Sequence, residues 1–371
     1  MAGNKHLKNI IFAFLALLAL FAIVNTTLLV YSASVLDGRI AALVEETRPA
    51  KLEMTTLLSS GCSECAEIGE YVDSIRDERV NFTKTSQVYL GSAQASGFPQ
   101  VSRLPAVIIS GETNKTTSLS KLLSSLGFRR VGNYLVLETP YAPYFDTGSS
   151  SVKGLVKAVA IGEPSCQACQ SPEAMLSNLA YSGMYFASSK AVNSTSAEGA
   201  EAISSHSIRS LPAVVLSSEA SEYREILSQV SARISGESYV YERKTPLYYD
   251  LSQNRTRGIV GITFLNDSSC TTCSDVTYNL LVLANYGVVP ANKTYLDVSS
   301  SQGKAILAKY NMTNAPAFIL TGEPGIYSSL VKVWQQVGTV EEDGTMVFRN
   351  PGALGTYKDL STGKVVVPAG G

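Results

Sequence analysis

The sequence predicts three α/β domains in tandem behind an N-terminal transmembrane helix. Three observations carry this reading. All six cysteines fall in Cys-x-x-Cys pairs, Cys62/Cys65, Cys166/Cys169 and Cys270/Cys273, with a spacing of 104 residues between successive pairs. A strand-like run opened by X-Pro-Ala follows each pair, its Pro105, Pro212 and Pro316 lying 43, 46 and 46 residues beyond the first cysteine. An apolar run, Ile10 to Tyr31, precedes everything else. A period of this length is one ordinary domain, so the chain divides into repeats of a single unit.

Taken from the N-terminus, residues 1–9 carry Lys5 and Lys8 and no acid. Residues 10–31 are apolar apart from Asn25, Thr26 and Thr27, and about 20 such residues span a bilayer as a helix. The flanking lysines favour a cytoplasmic N-terminus, which puts all later residues outside. A cleaved signal peptide is the alternative, with Ser32-Ala33-Ser34 as a processing site, but the run is longer than a usual signal core. Residues 32–49 place Val35, Leu36, Ile40, Leu43 and Val44 at helical spacing and read as a stalk helix ended by Arg48-Pro49.

The three units follow, at residues 50–151, 152–256 and 257–371. Each opens on an apolar strand: Leu52–Leu58, Leu155–Ile161 or Ile259–Leu265. A polar turn and the cysteine pair come next, then a helical face: Cys65, Ile68, Val72 and Ile75; Cys169, Met175, Leu176 and Leu179; Cys273, Val276, Leu280 and Leu283. A second strand and helix are clearest at Lys293–Val298 and Ser301–Tyr310. After the proline strand, helices are expected at Leu119–Leu126, Ser221–Ile234 and Tyr327–Val337, and strands at Tyr134–Leu137, Tyr239–Tyr241 and Met346–Phe348. Linkers run through Tyr144-Phe145-Asp146 and Tyr248-Tyr249-Asp250, with a looser copy at Tyr357-Lys358-Asp359. Their aspartates read as turn formers rather than catalysts. Their tyrosines Tyr144, Tyr248 and Tyr249 are expected to pack between units.

Composition narrows the function. The net charge is −1, so no field calls for nucleic acid. The two histidines, His6 and His206, leave little for His-based catalysis or a metal site, and the cysteine pairs lie in separate units; no metal and no cofactor are expected. Eight of the sixteen asparagines open an Asn-x-Ser/Thr triplet. Asn25 falls in the membrane segment; Asn81, Asn114, Asn193, Asn254, Asn266, Asn292 and Asn311 are glycosylation candidates on an exported surface. An exported chain also lives where disulfides persist.

A strand, a tight turn and Cys-x-x-Cys at a helix start suit thiol chemistry. Free N–H groups and the helix dipole there stabilise a thiolate, the nucleophile of disulfide exchange. The second cysteine, one turn on, can attack the mixed disulfide. A cis X-Pro bond beside the pair would leave the preceding backbone free to pair with an extended substrate.

The order strand, Cys-x-x-Cys, helix, strand, helix, X-Pro-Ala strand resembles the thioredoxin fold, repeated three times over residues 50–350. Tandem units of this kind outside the cytoplasm resemble protein disulfide isomerases and exported archaeal thioredoxin-like proteins. The resemblance implies Cys62, Cys166 and Cys270 as nucleophiles, Cys65, Cys169 and Cys273 as resolving thiols, and Pro105, Pro212 and Pro316 as substrate-binding cis-prolines. There are departures from the family pattern. Gly61, Ser165 and Ser269 stand where it has Trp, and the inner dipeptides are Ser63-Glu64, Gln167-Ala168 and Thr271-Thr272. Glu53, Lys157 and Gly261 give no consistent counterpart of its buried strand acid, and Glu163 and Asp267 would oppose thiolate formation. A helix separates the last two strands, where the family has a hairpin.

The function expected is that of a membrane-anchored extracytoplasmic thiol–disulfide oxidoreductase or isomerase. Its partners would be the membrane, protein thiol or disulfide clients, and a redox partner the sequence does not identify. The alternative is a cell-surface scaffold or binding protein with structural disulfides.

Overall fold

The computed structural model describes residues 3–69, 73, 75 and 80–368. Two compact units, Met1–Val152 and Lys153–Gly371, account for the chain; the first holds the N-terminal helix and one sheet domain, the second holds two sheet domains.

The helix Gly3–Thr47 is continuous over 45 residues, so the expected membrane segment and stalk are one rod. The polar residues inside it do not break it, because their side chains bond back to its own carbonyls. Asn25 Nδ2 donates to Phe21 O at 3.0 Å, Thr26 Oγ1 to Ala22 O at 2.7 Å and Ser32 Oγ to Leu28 O at 2.7 Å. That arrangement hides polar groups that hydrocarbon cannot solvate. The segment from Phe12 reaches a mean hydropathy of 2.4 with none of that window buried, long and apolar enough to cross a membrane. At its base Arg48 pairs with Glu45 and with Glu112 of the first domain.

Each domain is built on a five-stranded mixed sheet, and the three copies share one strand order. In the first, Ala50–Leu58 is central and parallel to the edge strand Val80–Tyr89. On its other side it runs antiparallel to Ala106–Gly111, which pairs in turn with Tyr134–Glu138 and then Arg129–Val131. The second sheet runs Phe186–Asn193, Val156–Gly162, Ala213–Leu216, Ser238–Glu242, Arg233–Ser235. The third runs Asn292–Asp297, Val260–Asn266, Ala317–Gly322, Met346–Phe348, Gly338–Val340. These are three repeated mixed α/β sheet domains behind an N-terminal apolar helix, as the sequence predicted.

The central strands alternate because side chains on a strand face opposite sides. In the first domain Leu52 and Met54 join Ile68, Ile75, Leu119 and Leu123 in one core, while Leu57 joins Val88, Leu104 and Val136 in another. Both faces of the sheet are therefore covered. The third domain repeats this, with Phe264, Leu283, Leu330 and Trp334 on one side and Leu265, Val298, Tyr310 and Met312 on the other. Val72, placed on the helical face by the sequence, lies outside the described residues.

One helix expectation overran. Ser221–Ile234 is α-helical only at Arg224–Gln229, after a 3-10 turn at Ser218–Glu222, and Ile234 sits in the edge strand Arg233–Ser235, 70% exposed. Ile226, Leu227 and Val230 mimic a longer helix, but Ser231 adopts a left-handed φ of 53° and ends it. Gly236, with φ of 61°, then turns the chain back so that Ser235 faces Ser238. Gly132, with φ of 60°, does the same between Val131 and Tyr134. Two-residue turns with glycine in this conformation are the usual hairpin signal.

Candidate functional site

Each disulfide sits at the C-terminal mouth of a central strand. The residue three before the first cysteine fixes the turn: Ser59, Glu163 or Asp267. Ser59 Oγ accepts from Gly61 N at 3.2 Å, Glu163 from Ser165 N at 3.1 Å and Asp267 from Ser269 N at 2.9 Å. Cys166 N and Cys270 N then close the turn on Glu163 O and Asp267 O, both at 3.0 Å. All six cysteines are paired: Cys62–Cys65, Cys166–Cys169 and Cys270–Cys273, with Cα separations of 5.4, 5.4 and 5.5 Å.

The pairs occupy turns upstream of the helices rather than helix starts, which corrects the sequence expectation. In the second domain the helix begins at Pro172, capped by Ser171, whose hydroxyl accepts from Ala174 N. In the third, Asp275 accepts from Thr277 N at 2.8 Å ahead of the short helix Asn279–Asn285. In the first, Gly69 is the first helical residue. The second helix, and the short 3-10 turn Val276–Tyr278 that leads into the third, thus spend N–H groups on their own caps, which removes the geometric basis for a dipole-stabilised thiolate there. Ser171-Pro172 and Asp275 are legible cap signals five residues beyond the first cysteine, and the sequence reading passed over them.

The peptide bonds Leu104-Pro105, Leu211-Pro212 and Ala315-Pro316 are cis. Cys65 Sγ lies 3.5 Å from Leu104 O, and Cys273 Sγ lies 4.0 Å from Ala315 O. Fold and chain order therefore bring cysteine and proline together in the first and third domains. In the second, Cys166 is only 7% exposed and packs with Ile161, Leu211 and Tyr249, with Cys169 against the same cluster. Cys62 and Cys65 are half-buried on a cavity of about 560 Å³ that Met54, Ile68, Gln87 and Pro105 also line.

The carboxylates beside the cysteines are engaged. Burial works against the charge of Glu163, but hydrogen bonds from Ser194 and Ser165 outweigh it and hold its pKa below the ordinary value. Lys358 and Ser269 do the same for Asp267, with Lys358 Nζ at 2.7 Å from the carboxylate. Asp267 is thus compensated by a cation, whereas Glu163 is held by hydroxyls and a backbone N–H. Glu53 and Lys157 are exposed on their strands. His206 caps a helix and meets Ser235 Oγ at 3.1 Å. No group of acids, cysteines and histidines suited to a metal occurs among the described residues.

A three-stranded sheet that the sequence reading missed lies beside each disulfide. Arg103–Leu104 pairs with Tyr144–Asp146, Ser210–Leu211 with Tyr248–Asp250, and Asn314–Ala315 with Tyr357–Asp359. The linkers are therefore straps over the cysteine turns. Asp146, Asp250 and Asp359 cap their bends by accepting from Ser149 N, Ser252 N and Ser361 N at 2.6, 2.9 and 2.8 Å. Tyr144 is 4% exposed under Arg103, and Tyr249 belongs to the second domain's core. The available signal was a tyrosine two residues before each aspartate and a serine two or three residues after it.

The seven sequon asparagines outside the N-terminal apolar helix, Asn81, Asn114, Asn193, Asn254, Asn266, Asn292 and Asn311, are all exposed.

No family model matches the chain, and no curated protein matches it. Among solved structures it is similar to full-length ERdj5, at 10% identity over 82% of this chain and 42% of that one, with a TM-score of 0.16. It is also similar to the zinc-bound form of human ERp44, at 9% identity over 80% of this chain and 88% of that one, with a TM-score of 0.15. The chain spans about two fifths of the length of the ERdj5 chain it matches, at 42%.

Proposed function

We propose that this chain is a membrane-anchored thiol–disulfide oxidoreductase that acts on protein disulfides outside the cytoplasm. The observation that carries the reading is the placement of Cys65 and Cys273 against the carbonyl that precedes a cis-proline, with Cys62 on an open cavity. The domains are taken as residues 50–151, 152–256 and 257–371, after an anchor at 10–31 and a stalk at 32–49. The lysines Lys5 and Lys8 support a cytoplasmic N-terminus. Exposure of the seven asparagines supports glycosylation of the exported part.

The chemistry needs only the chain's own sulfurs and a client. In the reduced state the Cys62 thiolate attacks a client disulfide, forming a mixed disulfide and expelling one client thiolate. Cys65 thiolate then attacks Cys62 Sγ and expels the second, so the client gains two electrons as the pair closes. Run in reverse, a client dithiol reduces the closed pair and leaves oxidised. Pro105, Pro212 and Pro316 would shape the client's approach.

A second reading, a scaffold with structural disulfides, is favoured at one site by the burial of Cys166. The two are separated by Cys65→Ser, Cys169→Ser and Cys273→Ser. An active domain then holds client adducts on its remaining first cysteine, detected on non-reducing gels and by mass spectrometry. If none of the three variants traps a client, the oxidoreductase reading is lost and the scaffold stands.

A further inference from the structure

A client peptide needs a strand edge next to the disulfide, and in all three domains that edge is taken. The residue preceding each cis-proline is the one whose backbone would receive the client. Leu104 instead faces Phe145, Leu211 faces Tyr249 and Ala315 faces Lys358, each in an antiparallel register. The straps also reach the cysteine turn itself. Ala66 N, next to Cys65, donates to Pro143 O at 2.8 Å, and Ser274 N, next to Cys273, donates to Thr356 O at 2.8 Å. In the first and third domains the strap thus bridges the proline edge and the cysteine turn.

The side chain at the facing position reaches toward the sulfur-bearing turn in each case. A Cβ on Gly61 would stand 3.7 Å from the Phe145 ring. Tyr249 shares a core with Cys166. Lys358 Nζ bonds Asp267 and Ser269, both at 2.7 Å. The same position therefore carries an aromatic residue in two domains and a cation, matched to an acid, in the third.

We propose that the straps are resident pseudosubstrates: each occupies the peptide site of its own domain, and a client engages only by displacing it. This rests on the oxidoreductase reading for its consequence, not for its geometry. The strap also describes the ligand. It is an extended segment antiparallel to the residue before the proline, aromatic at the facing position in the first two domains and cationic in the third, where Asp267 waits for it. Affinity for a client is reduced by the fraction of time the strap is closed.

The test uses the full-length chain in detergent and two substitutions at one position. Lys358→Pro withdraws a strand N–H from the pairing with Ala315. Lys358→Met keeps the N–H and removes only the ammonium. The probe is a fluorescent peptide with the sequence of residues 355–367, followed by anisotropy. In parallel, dithiothreitol reduces Cys270–Cys273 by two successive thiolate attacks, leaving two protein thiols and the cyclic disulfide of the reagent. Thiols are then alkylated and assigned by mass spectrometry.

Lys358→Pro should bind the peptide and be reduced about tenfold faster than the parent or Lys358→Met, and the peptide should restore the slow rate. If Lys358→Pro binds no peptide while hydrogen exchange shows the strand Ala317–Gly322 protected, the proposal is overturned. Peptide binding without any change in reduction keeps the strap site and removes the oxidoreductase reading from this domain. Equally fast reduction in all three chains with no peptide bound does the opposite. Should Lys358→Pro lose the protection of Ala317–Gly322, Asp359→Ala, which removes only the cap on Ser361 N and Thr362 N, carries the same readouts.

Discussion

Tyr249→Ala tests how burial sets the reactivity of the second disulfide. The Tyr249 ring is 9% exposed, packs with Ile161, Leu211 and Cys166, and its hydroxyl donates to Asn254 Oδ1 at 2.7 Å. Truncating an aromatic residue at the margin of a core costs about 3 kcal/mol, the low end for such changes. If that energy holds the strap Tyr248–Asp250 in place, its loss raises the open population by about a hundredfold, since about 1.4 kcal/mol is tenfold. Reduction of a buried pair follows its open population when closing is fast. The Cys166–Cys169 bond should therefore be reduced about a hundredfold faster, with Tyr249→Phe, which loses one hydrogen bond of about 1 kcal/mol, giving about fivefold. The assay is a timed dithiothreitol pulse at neutral pH, with light alkylation, then denaturation and heavy alkylation, read on cysteine peptides. Cys62–Cys65, in the other compact unit, serves as the internal reference and should not change. A Tyr249→Ala rate within threefold of the parent, or equal acceleration of all three pairs, would refute the reasoning.

Glu323→Ala should cost about 2–4 kcal/mol in denaturant titration, because buried Gly258 N loses its acceptor at 2.8 Å and Arg255 and Arg257 lose their partner, while Glu323→Gln should cost less than half as much. Burial of Glu242 opposes its charge, yet N–H groups of Arg209 and Ser210 and the Arg233 guanidinium hold its pKa below 4.5. The unfolded chain therefore binds more protons in that range, so this contribution is present above the ordinary value and lost as pH falls through the depressed one; in Glu242→Gln that part of the acid dependence of unfolding should vanish. Gly199→Ala and Gly303→Ala should each destabilise by about 2 kcal/mol despite alanine's better helix propensity, since a Cβ would stand 2.1 Å from Asn193 O or Asp297 O. In an N-glycosylating host, glycopeptide mapping should find glycans among the seven exposed sequons and none at Asn25, and a chain with no glycan at all would count against export of the domains.

Much of the fold was legible because period and pattern agreed. The strands Leu52–Leu58 and Met346–Phe348 alternate or run apolar between turn signals, and the observed limits, Ala50–Leu58 and Met346–Phe348, differ by at most two residues. The edge strands Arg129–Val131 and Arg233–Ser235 were missed because each has only three residues with no apolar alternation, and only Gly132 and Gly236 announce them. The cysteine positions were read correctly along the chain but placed on the wrong element, because a repeat of apolar residues after Cys169 continues the helical spacing through Ser171-Pro172, where the cap begins. The straps were illegible for a different reason. Strands of two and three residues have too few side chains to show a period, and their partners lie more than 30 residues away.

The hairpin Tyr248–Arg257 has two attachments. Its first leg is laid along Ser210–Leu211 of the second domain, and its second leg is clamped by Glu323 of the third through Arg255, Arg257 and Gly258. Anything that takes over the first leg's berth loosens a bracket on which the next domain hangs. The stiffness of that joint and the occupancy of the berth are then conjugate quantities: each can be read as a gauge of the other, with a coupling that must be equal in both directions.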